Sequence, residues 1–298
     1  MCFVVGTNEK QSMDTLPDGV VSLIASSLTQ RDRIRALLVC WQWWPALLRT
    51  VVYENRSLAW VLMQGHTEHL TVHGHGARHV HSLPNHMWLD LVCARALRTL
   101  RVDACVGVGQ LQTLREANPG MSGSLNVRCT SVEEVTLAAA DPCVDAVTLS
   151  CANASAWVPD LLPALACTVR RVFIRDGWLE DSQSERLVAS LDGMRVMDAF
   201  TVSIDCPIAL LCDFFRRVPA RTLVVDFRCY GFSAHDVRAV VDSILANEHI
   251  GEVGGDSLRA MFAYTLATAD EHPVTFRAMR SLMPRASSLL ALDQYPAV

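Results

Sequence analysis

Lysine is nearly absent from this chain of 298 residues: Lys10 is the only lysine among its 26 lysine and arginine residues. Lys10 follows Glu9 and precedes Gln11, so the sequence contains no phosphate-binding loop of the glycine-lysine-serine type. The sequence also contains no Gly-x-Ser-x-Gly motif, which marks one large class of serine hydrolases. These two absences remove the most common signatures of nucleotide hydrolysis and acyl transfer.

Paired cysteines and long apolar runs are also missing. The eleven cysteines form no Cys-x-x-Cys pair, and their odd number does not suit a disulfide framework. The most apolar stretch, Ala36 to Leu48, is interrupted by Gln42 and Pro45 and is too short to cross a bilayer. The N-terminus lacks the basic flank of a signal peptide. We therefore expect a reduced compartment, the cytosol or the nucleus, and no membrane partner.

The charge balance excludes a further class of partner. The formal net charge is −5, and 19% of the residues are charged. No global attraction to nucleic acid follows from this composition. We expect no nucleic-acid partner.

Two local clusters are candidate sites of chemistry. Seven of the ten histidines fall in a short segment: His66, His69, His73, His75, His79, His81 and His86. Their spacing is not His-Glu-x-x-His, and they favour a polar strand edge over a metal site. Gly107-x-Gly109 lacks the third glycine of a dinucleotide fingerprint, so it predicts a plain strand-to-helix turn. We expect no catalytic residue, no metal and no cofactor, and hence no enzyme.

Helical periodicity dominates the N-terminal segment. Leu16-Pro17 opens a run in which Val20, Ile24 and Leu28 recur at helical spacing. Thr29 and Asp32 resemble a capping pair, and a second stripe leads to Val39-Cys40-x-x-Trp43. A third helical piece follows, in which Pro45 should restart the helix. Three helices this short bury little apolar surface by themselves.

This segment resembles the F-box, the module that docks a Skp-type adaptor of cullin-based ubiquitin ligases. The positions that match include Leu47 and, more loosely, Trp60, whereas Gly19 and Pro45 depart from the family pattern. The resemblance implies that one set of side chains binds the adaptor: Leu16, Pro17, Val20, Ile24, Leu28, Ile34, Leu37, Val39, Cys40 and Trp43.

The rest of the chain alternates short strand-like runs with helical stretches. The clearest run is Leu97-x-x-Leu100-x-Val102-x-x-Cys105, and weaker copies begin at Thr67, Val132, Val144, Val169, Ala199 and Ala220. This pattern resembles the leucine-rich repeat. Helices are predicted at Met87–Ala96, Gln110–Ala117, Pro159–Cys167, Ser182–Leu191, Pro207–Val218 and Ser233–Ala246. Leu125, Val135 and Val147 are spaced so closely that only plain loops are expected between them.

The sequence therefore predicts an α/β protein in three parts: an F-box module at residues 12–60, a leucine-rich-repeat-like solenoid at 61–255, and a helical C-terminal cap with a tail at 256–298. The resemblance implies a substrate receptor that binds a Skp-type adaptor, a cullin through that adaptor, and an unknown protein target. The alternative is an F-box scaffold that recruits no cullin. Lysine scarcity fits either genomic codon bias or avoidance of self-ubiquitination.

Overall fold

The computed structural model describes residues 18–37, 43–53, 67–72, 91, 94, 96–150, 156–175, 177–228, 233–268 and 271–286. These residues form nine strands, eleven α-helices and one short 3-10 helix. Every strand pairing defined among them is parallel. The predicted α/β class is therefore confirmed.

The chain divides into two compact units, Met1–Ala104 with Gln112–Ser122, and Cys105–Leu111 with Gly123–Val298. The predicted boundaries after residues 60 and 255 stay a prediction, because they rest on family resemblance.

The first unit begins with three short helices: α1 (Asp18–Ser27), α2 (Gln30–Leu37) and α3 (Trp44–Leu48). The predicted cap is present, because the Thr29 hydroxyl accepts the Asp32 N–H at 3.3 Å and donates to its carboxylate at 2.6 Å. Pro45 lies in the first turn of α3, where its missing N–H costs nothing, and the helix restarts there as predicted. Helix α3 packs against both α1 and α2.

Three parallel strands follow: β1 (Thr50–Tyr53), β2 (His69–Val72) and β3 (Thr99–Gly107). Leu70 aligns with Val51 on one side and with Leu100 on the other. The strand β1 differs from the prediction, which placed this stretch in a helical module. The predicted helix at 87–96 lies largely outside the described residues.

Strands and helices alternate through the rest of the chain. The elements are α4 (Val108–Ala117), β4 (Ser122–Cys129), α5 (Val132–Ala140), β5 (Val144–Ser150), α6 (Val158–Thr168), β6 (Arg171–Arg175), α7 (Asp181–Ser190), β7 (Met197–Asp205), α8 (Ile208–Arg217), β8 (Ala220–Arg228), α9 (Ala234–Ala246), β9 (Glu252–Gly254), α10 (Asp256–Ala267), α11 (Pro273–Leu282) and the 3-10 helix Met283–Arg285. The helices predicted at 110–117, 159–167, 182–191, 207–218 and 233–246, and the helical pattern beyond 256, are confirmed.

Helix α5 corrects two predictions at once. The run Val132-x-x-Val135-x-Leu137 was predicted as a strand, and only loops were expected between Leu125 and Val147, yet nine residues of helix lie there. The cause is local: the Ser131 hydroxyl accepts the Glu134 N–H at 3.2 Å, which favours a helix start. The valine at 135 is buried in this helix, whereas Leu137 is 51% exposed.

Within the second unit, each strand pairs with its neighbours in chain order, from β4 to β9. Successive helices from α5 to α9 pack against one another in the same order. Apolar residues alternate along the strands, so Val172, Phe200, Val202, Leu223 and Val225 are completely buried. This unit therefore buries one sheet face under a row of helices.

Two buried asparagines secure the ends of helices. In the first unit, the Asn118 side-chain amide donates to the Ala94 carbonyl at 2.8 Å and accepts the Leu97 N–H at 3.0 Å. In the second, the Asn247 amide donates to the Phe215 and Val218 carbonyls, both at 2.9 Å. Each asparagine follows a helix directly and fixes an earlier turn of the chain. The same local solution therefore occurs in both units.

The sheet of the second unit ends at a short strand. The strand β9 has three residues and pairs with β8, which is its neighbour in the sheet. The next residue, Gly255, has φ +131°, and a Cβ there would lie 2.0 Å from the Val225 carbonyl oxygen. Only glycine fits this turn, because any side chain would overlap the backbone of β8.

Candidate functional site

One side of helix α1 carries apolar side chains that the first unit does not bury. Leu23 is 72% exposed and Val20 is 41% exposed, whereas Val21 and Ala25 are buried. Because Val20 and Leu23 are three residues apart, they lie on the same side of the helix. We call this pair the α1 apolar pair. Adjacent exposed aliphatic side chains favour contact with another protein.

The predicted adaptor-binding residues are only partly described. Val20, Ile24 and Leu28 follow one another along α1 and just beyond its end, and the last two are half-buried. Trp43, directly before α3, is also half-buried. Four positions lie outside the described residues: Leu16, Pro17, Val39 and Cys40. Ile34 and Leu37 belong to α2, but their side chains are not among those described. The adaptor-binding set therefore stays a prediction.

Leu23 is a surface residue that the sequence analysis missed. It does not belong to the family pattern used to select the adaptor-binding set. Its spacing from Val20 was the available signal, since residues three apart share one side of a helix.

The second unit has a polar sheet face opposite its buried apolar one. The Arg171 guanidinium donates to both Asp145 carboxylate oxygens, at 3.1 and 2.9 Å, and to the Ser124 hydroxyl at 3.4 Å. Arg228 lies 3.5 Å from the Asp205 carboxylate and stacks at 4.5 Å from the centre of the Trp178 ring. These residues come from strands β4 to β8 and the turn after β6, so neighbouring strands build one surface.

The cysteines behave as packing residues. Cys105, Cys129 and Cys206 are buried at or near the ends of strands. Burial raises the pKa of the Cys129 thiol to about 12, and the charges of Glu134 and Cys105 raise it further by smaller amounts. A thiol with this pKa is protonated at neutral pH and is a poor nucleophile.

The two clusters considered as sites of chemistry have different outcomes. Of the seven clustered histidines, the described residues include His69 alone, whose ring nitrogen lies 2.8 Å from the Thr99 hydroxyl. Within the ranges that the structure describes, no group of three potential metal ligands comes together. Gly107 ends β3 and its N–H donates to the Gln110 side chain at 2.7 Å. The predicted strand-to-helix turn is therefore confirmed.

No family model matches the chain, and a search among curated proteins gives no match either. None of the described helices has both the length and the apolar character needed to cross a bilayer.

Proposed function

We propose that this protein is a substrate receptor of a Skp–cullin–F-box ubiquitin ligase. The N-terminal helices dock the Skp-type adaptor, the adaptor connects to a cullin, and the strand-and-helix region holds a protein target. The chain itself performs no chemistry. Ubiquitin transfer is accelerated because the bound target experiences a high effective concentration of activated ubiquitin.

The α1 apolar pair is the observation that carries this proposal. Val20 matches the F-box pattern and is 41% exposed, and Leu23 beside it is 72% exposed. A docked adaptor would remove both side chains from water, which stabilises the complex by about 25 cal/mol per Å² of apolar surface buried. An exposed apolar pair that includes one position of the F-box pattern, Val20, suits an adaptor-binding module.

The parallel strands support the target-binding part of the proposal. In a leucine-rich-repeat-like solenoid, each strand and helix packs only on its neighbours, and the strands share one open face. Strands β4–β9 pair in chain order, and helices α5–α9 pack in the same order. The polar face of Arg171, Asp145, Asp205 and Arg228 is the surface that we assign to a partner protein.

Co-expression with a Skp-type adaptor tests the proposal. The wild-type chain should co-purify with the adaptor, and Val20→Asp combined with Leu23→Asp should reduce the amount captured at least tenfold, because two carboxylates would then be desolvated in an apolar interface. Leu137→Asp is the matched control, since Leu137 is an exposed aliphatic residue of helix α5 in the second unit. Equal capture of the double variant and the wild type would contradict the proposal.

A cullin added to the purified complex separates the ligase from the scaffold alternative. A receptor carries the cullin into the adaptor complex. A scaffold binds the adaptor and leaves the cullin free. Departures from the family pattern at Gly19 and Pro45 are the sequence features that favour the scaffold.

A further inference from the structure

A row of uncharged side chains crosses the sheet face of the second unit that lies opposite its helices. Phe173 of β6 aligns with Thr201 of β7, which in turn aligns with Val224 of β8. All of them are half-buried, whereas the residues directly before and after each of them along the strands are at most 1% exposed. Because side chains alternate along a strand, the row stands on the open face. We call Phe173, Thr201 and Val224 the uncharged row.

The row has a defined end on each side. On β5, Thr148 aligns with Phe173, but it is only 4% exposed, and its hydroxyl donates to the Asn126 side-chain oxygen at 3.0 Å. On β9, Val224 aligns with Gly254, which has no side chain. The solvent-accessible part of the row is therefore confined to β6, β7 and β8.

Short side chains separate the two apolar members of the row. Thr201 lies between Phe173 and Val224, and Ala199 precedes it on the same face of β7. Because neighbouring strands are about 4.8 Å apart, the backbones that carry Phe173 and Val224 are separated by roughly 10 Å. This distance leaves room for one aliphatic or aromatic side chain above the strand β7.

Ion pairs lie towards both ends of the strands that carry this row. Before the row, the Arg171 guanidinium lies 2.9 Å from the Asp145 carboxylate. Beyond it, the Arg228 guanidinium lies 3.5 Å from the Asp205 carboxylate and stacks on the ring of Trp178. Each pair neutralises itself, so neither end of the face presents an excess of one charge.

Two further charged residues of this face already have local interactions. An oxygen of the Asp226 carboxylate accepts the Asp256 N–H at 2.7 Å, at the start of helix α10, where the helix dipole favours a negative charge. The guanidinium carbon of Arg175 lies 5.7 Å from the centre of the Phe173 ring, which is a favourable position for a cation. Arginines and aspartates thus balance over the face, and no surplus charge selects an ionic ligand.

This arrangement corresponds to the anatomy of a protein interface. Interfaces have a centre depleted of charged residues and a polar rim, and aromatic residues and arginine are enriched in them. The uncharged row provides such a centre, and the two ion pairs provide the rim. A charged partner residue placed on the row would lose its hydration without gaining an opposite charge there, whereas an apolar side chain would gain by leaving water.

We propose that the uncharged row binds an apolar segment of the partner protein, with one aliphatic or aromatic side chain inserted between Phe173 and Val224. This inference rests on the proposed function in that the sheet face receives a protein target. It deepens that function by naming the chemistry of the recognised segment. Because the interaction is apolar, its affinity should depend little on salt.

Peptide selection tests the chemistry of the ligand. A random peptide library displayed on phage is selected on the immobilised full chain, and the selected peptides are synthesised and titrated by fluorescence anisotropy. They should share aliphatic or aromatic residues, and their affinity should change less than twofold between about 0.05 and about 0.5 M sodium chloride. A consensus of charged residues, a tenfold loss of affinity at high salt, or no enriched peptide at all would overturn the proposal.

Variants then locate the site. Val224→Asp should lower the affinity for the selected peptides at least tenfold, because a carboxylate would be desolvated under the apolar segment. The matched control is Val274→Asp, the same substitution at a valine of α11 that is 50% exposed; it should change the affinity less than twofold. Wild-type affinity in Val224→Asp would overturn the proposal.

Two further measurements keep the test decisive. If Val224→Asp fails to fold, as judged by its unfolding curve, Val224→Thr keeps the shape of the side chain but replaces a methyl group by a hydroxyl, and it should lower the affinity about threefold. Unchanged affinity in that variant would contradict the assignment. Adaptor capture is measured on the same proteins. Adaptor capture without peptide binding would contradict this inference alone, and peptide binding without adaptor capture would contradict the F-box proposal alone.

Discussion

The N-terminal helices and the β7–β8 region differ in how they use apolar side chains. In the first, α1 buries Val21 and Ala25 but leaves Val20 and Leu23 exposed. In the second, the rings of Phe200, Phe214, Phe215 and Phe227 pack against one another with centroids 5.8 to 6.3 Å apart, and the first three are fully buried. Aromatic contacts of this kind stabilise a core beyond the area they bury.

The contrast indicates where each region obtains its stability. The phenylalanine cluster is satisfied within its own unit. The α1 helix leaves Val20 and Leu23 exposed, and we expect a partner protein to cover them. A substitution in the cluster should therefore change folding, and a substitution in the α1 apolar pair should change binding.

The largest expected effect is in the phenylalanine cluster. Phe214→Ala removes a fully buried ring that contacts Phe200 and Phe215. We expect the free energy of unfolding to fall by about 3–5 kcal/mol, because the transfer free energy is lost and a cavity remains. Urea unfolding followed by circular dichroism measures the change. A decrease of less than about 1 kcal/mol in the free energy of unfolding would contradict this prediction, because the cluster would then not be the core of its unit.

Asn247 should produce the next largest change. Asn247→Ala leaves the Phe215 and Val218 carbonyls and the His249 N–H without their side-chain partner. Because unsatisfied buried groups cost about 1–3 kcal/mol, we expect a loss of about 2–3 kcal/mol in urea unfolding. Asn247→Asp should also destabilise, because a carboxylate cannot donate to the two carbonyls. An unchanged free energy of unfolding in both variants would show that other contacts hold the end of helix α9.

Alkaline pH should weaken the second unit through Cys129. The pKa of this thiol is about 12 when folded, against its ordinary 9.0. The folded state therefore keeps a proton that the unfolded chain releases, so stability is full below pH 9 and falls as pH rises from 9 towards 12. The slope is about 1.4 kcal/mol per pH unit. Urea midpoints between pH 8 and pH 10.5 should decline more steeply in the wild type than in Cys129→Ala; parallel curves would refute this.

The smallest effect is expected in the α1 apolar pair. Leu23→Ala removes a side chain that is 72% exposed, so the free energy of unfolding should change by less than about 0.5 kcal/mol. Differential scanning fluorimetry of wild type and variant measures it. Ala25→Leu, which enlarges a buried position of the same helix, is the control that should destabilise by overpacking. A large loss in Leu23→Ala would mean that α1 is already covered within this chain.

Much of the fold was predictable because local signals agreed. Ser233 and Asp236 form a reciprocal capping box, and the Ser233 hydroxyl and backbone N–H lower the pKa of the Asp236 carboxyl through hydrogen bonds. Proline at the start of α6 and apolar alternation in β7 gave similar clear signals. Such elements have one pattern and one cap, and both indicate the same structure.

Helix α5 and strand β1 were missed because their patterns are ambiguous. Apolar residues three and five apart fit either a strand repeat or a helix, and only the Ser131 cap decides in favour of the helix. The strand at Thr50–Tyr53 continues an apolar run that began in α3, without a turn signal between them. The local sequence alone does not show where helix α3 ends and strand β1 begins.

The grouping of polar side chains on the sheet face could not be predicted from the sequence. Ser150, Arg175 and Thr201 come from three strands, and their grouping depends on the register between them. A shift of one residue in either pairing would send these side chains to opposite faces. The arginine is visible in the sequence, but the residues that lie beside it on the neighbouring strands are a property of the folded chain.

The short strand β9 has a consequence for how the protein survives in a crowded cell. Exposed edges of parallel sheets offer unpaired amide and carbonyl groups to other chains, and long flat edges seed aggregates. At three residues, with Gly254 as its last member and the tight turn at Gly255 immediately after, β9 offers foreign strands too short a template for a stable ladder. The tight turn that forbids a side chain at Gly255 thus also guards this edge against misassembly.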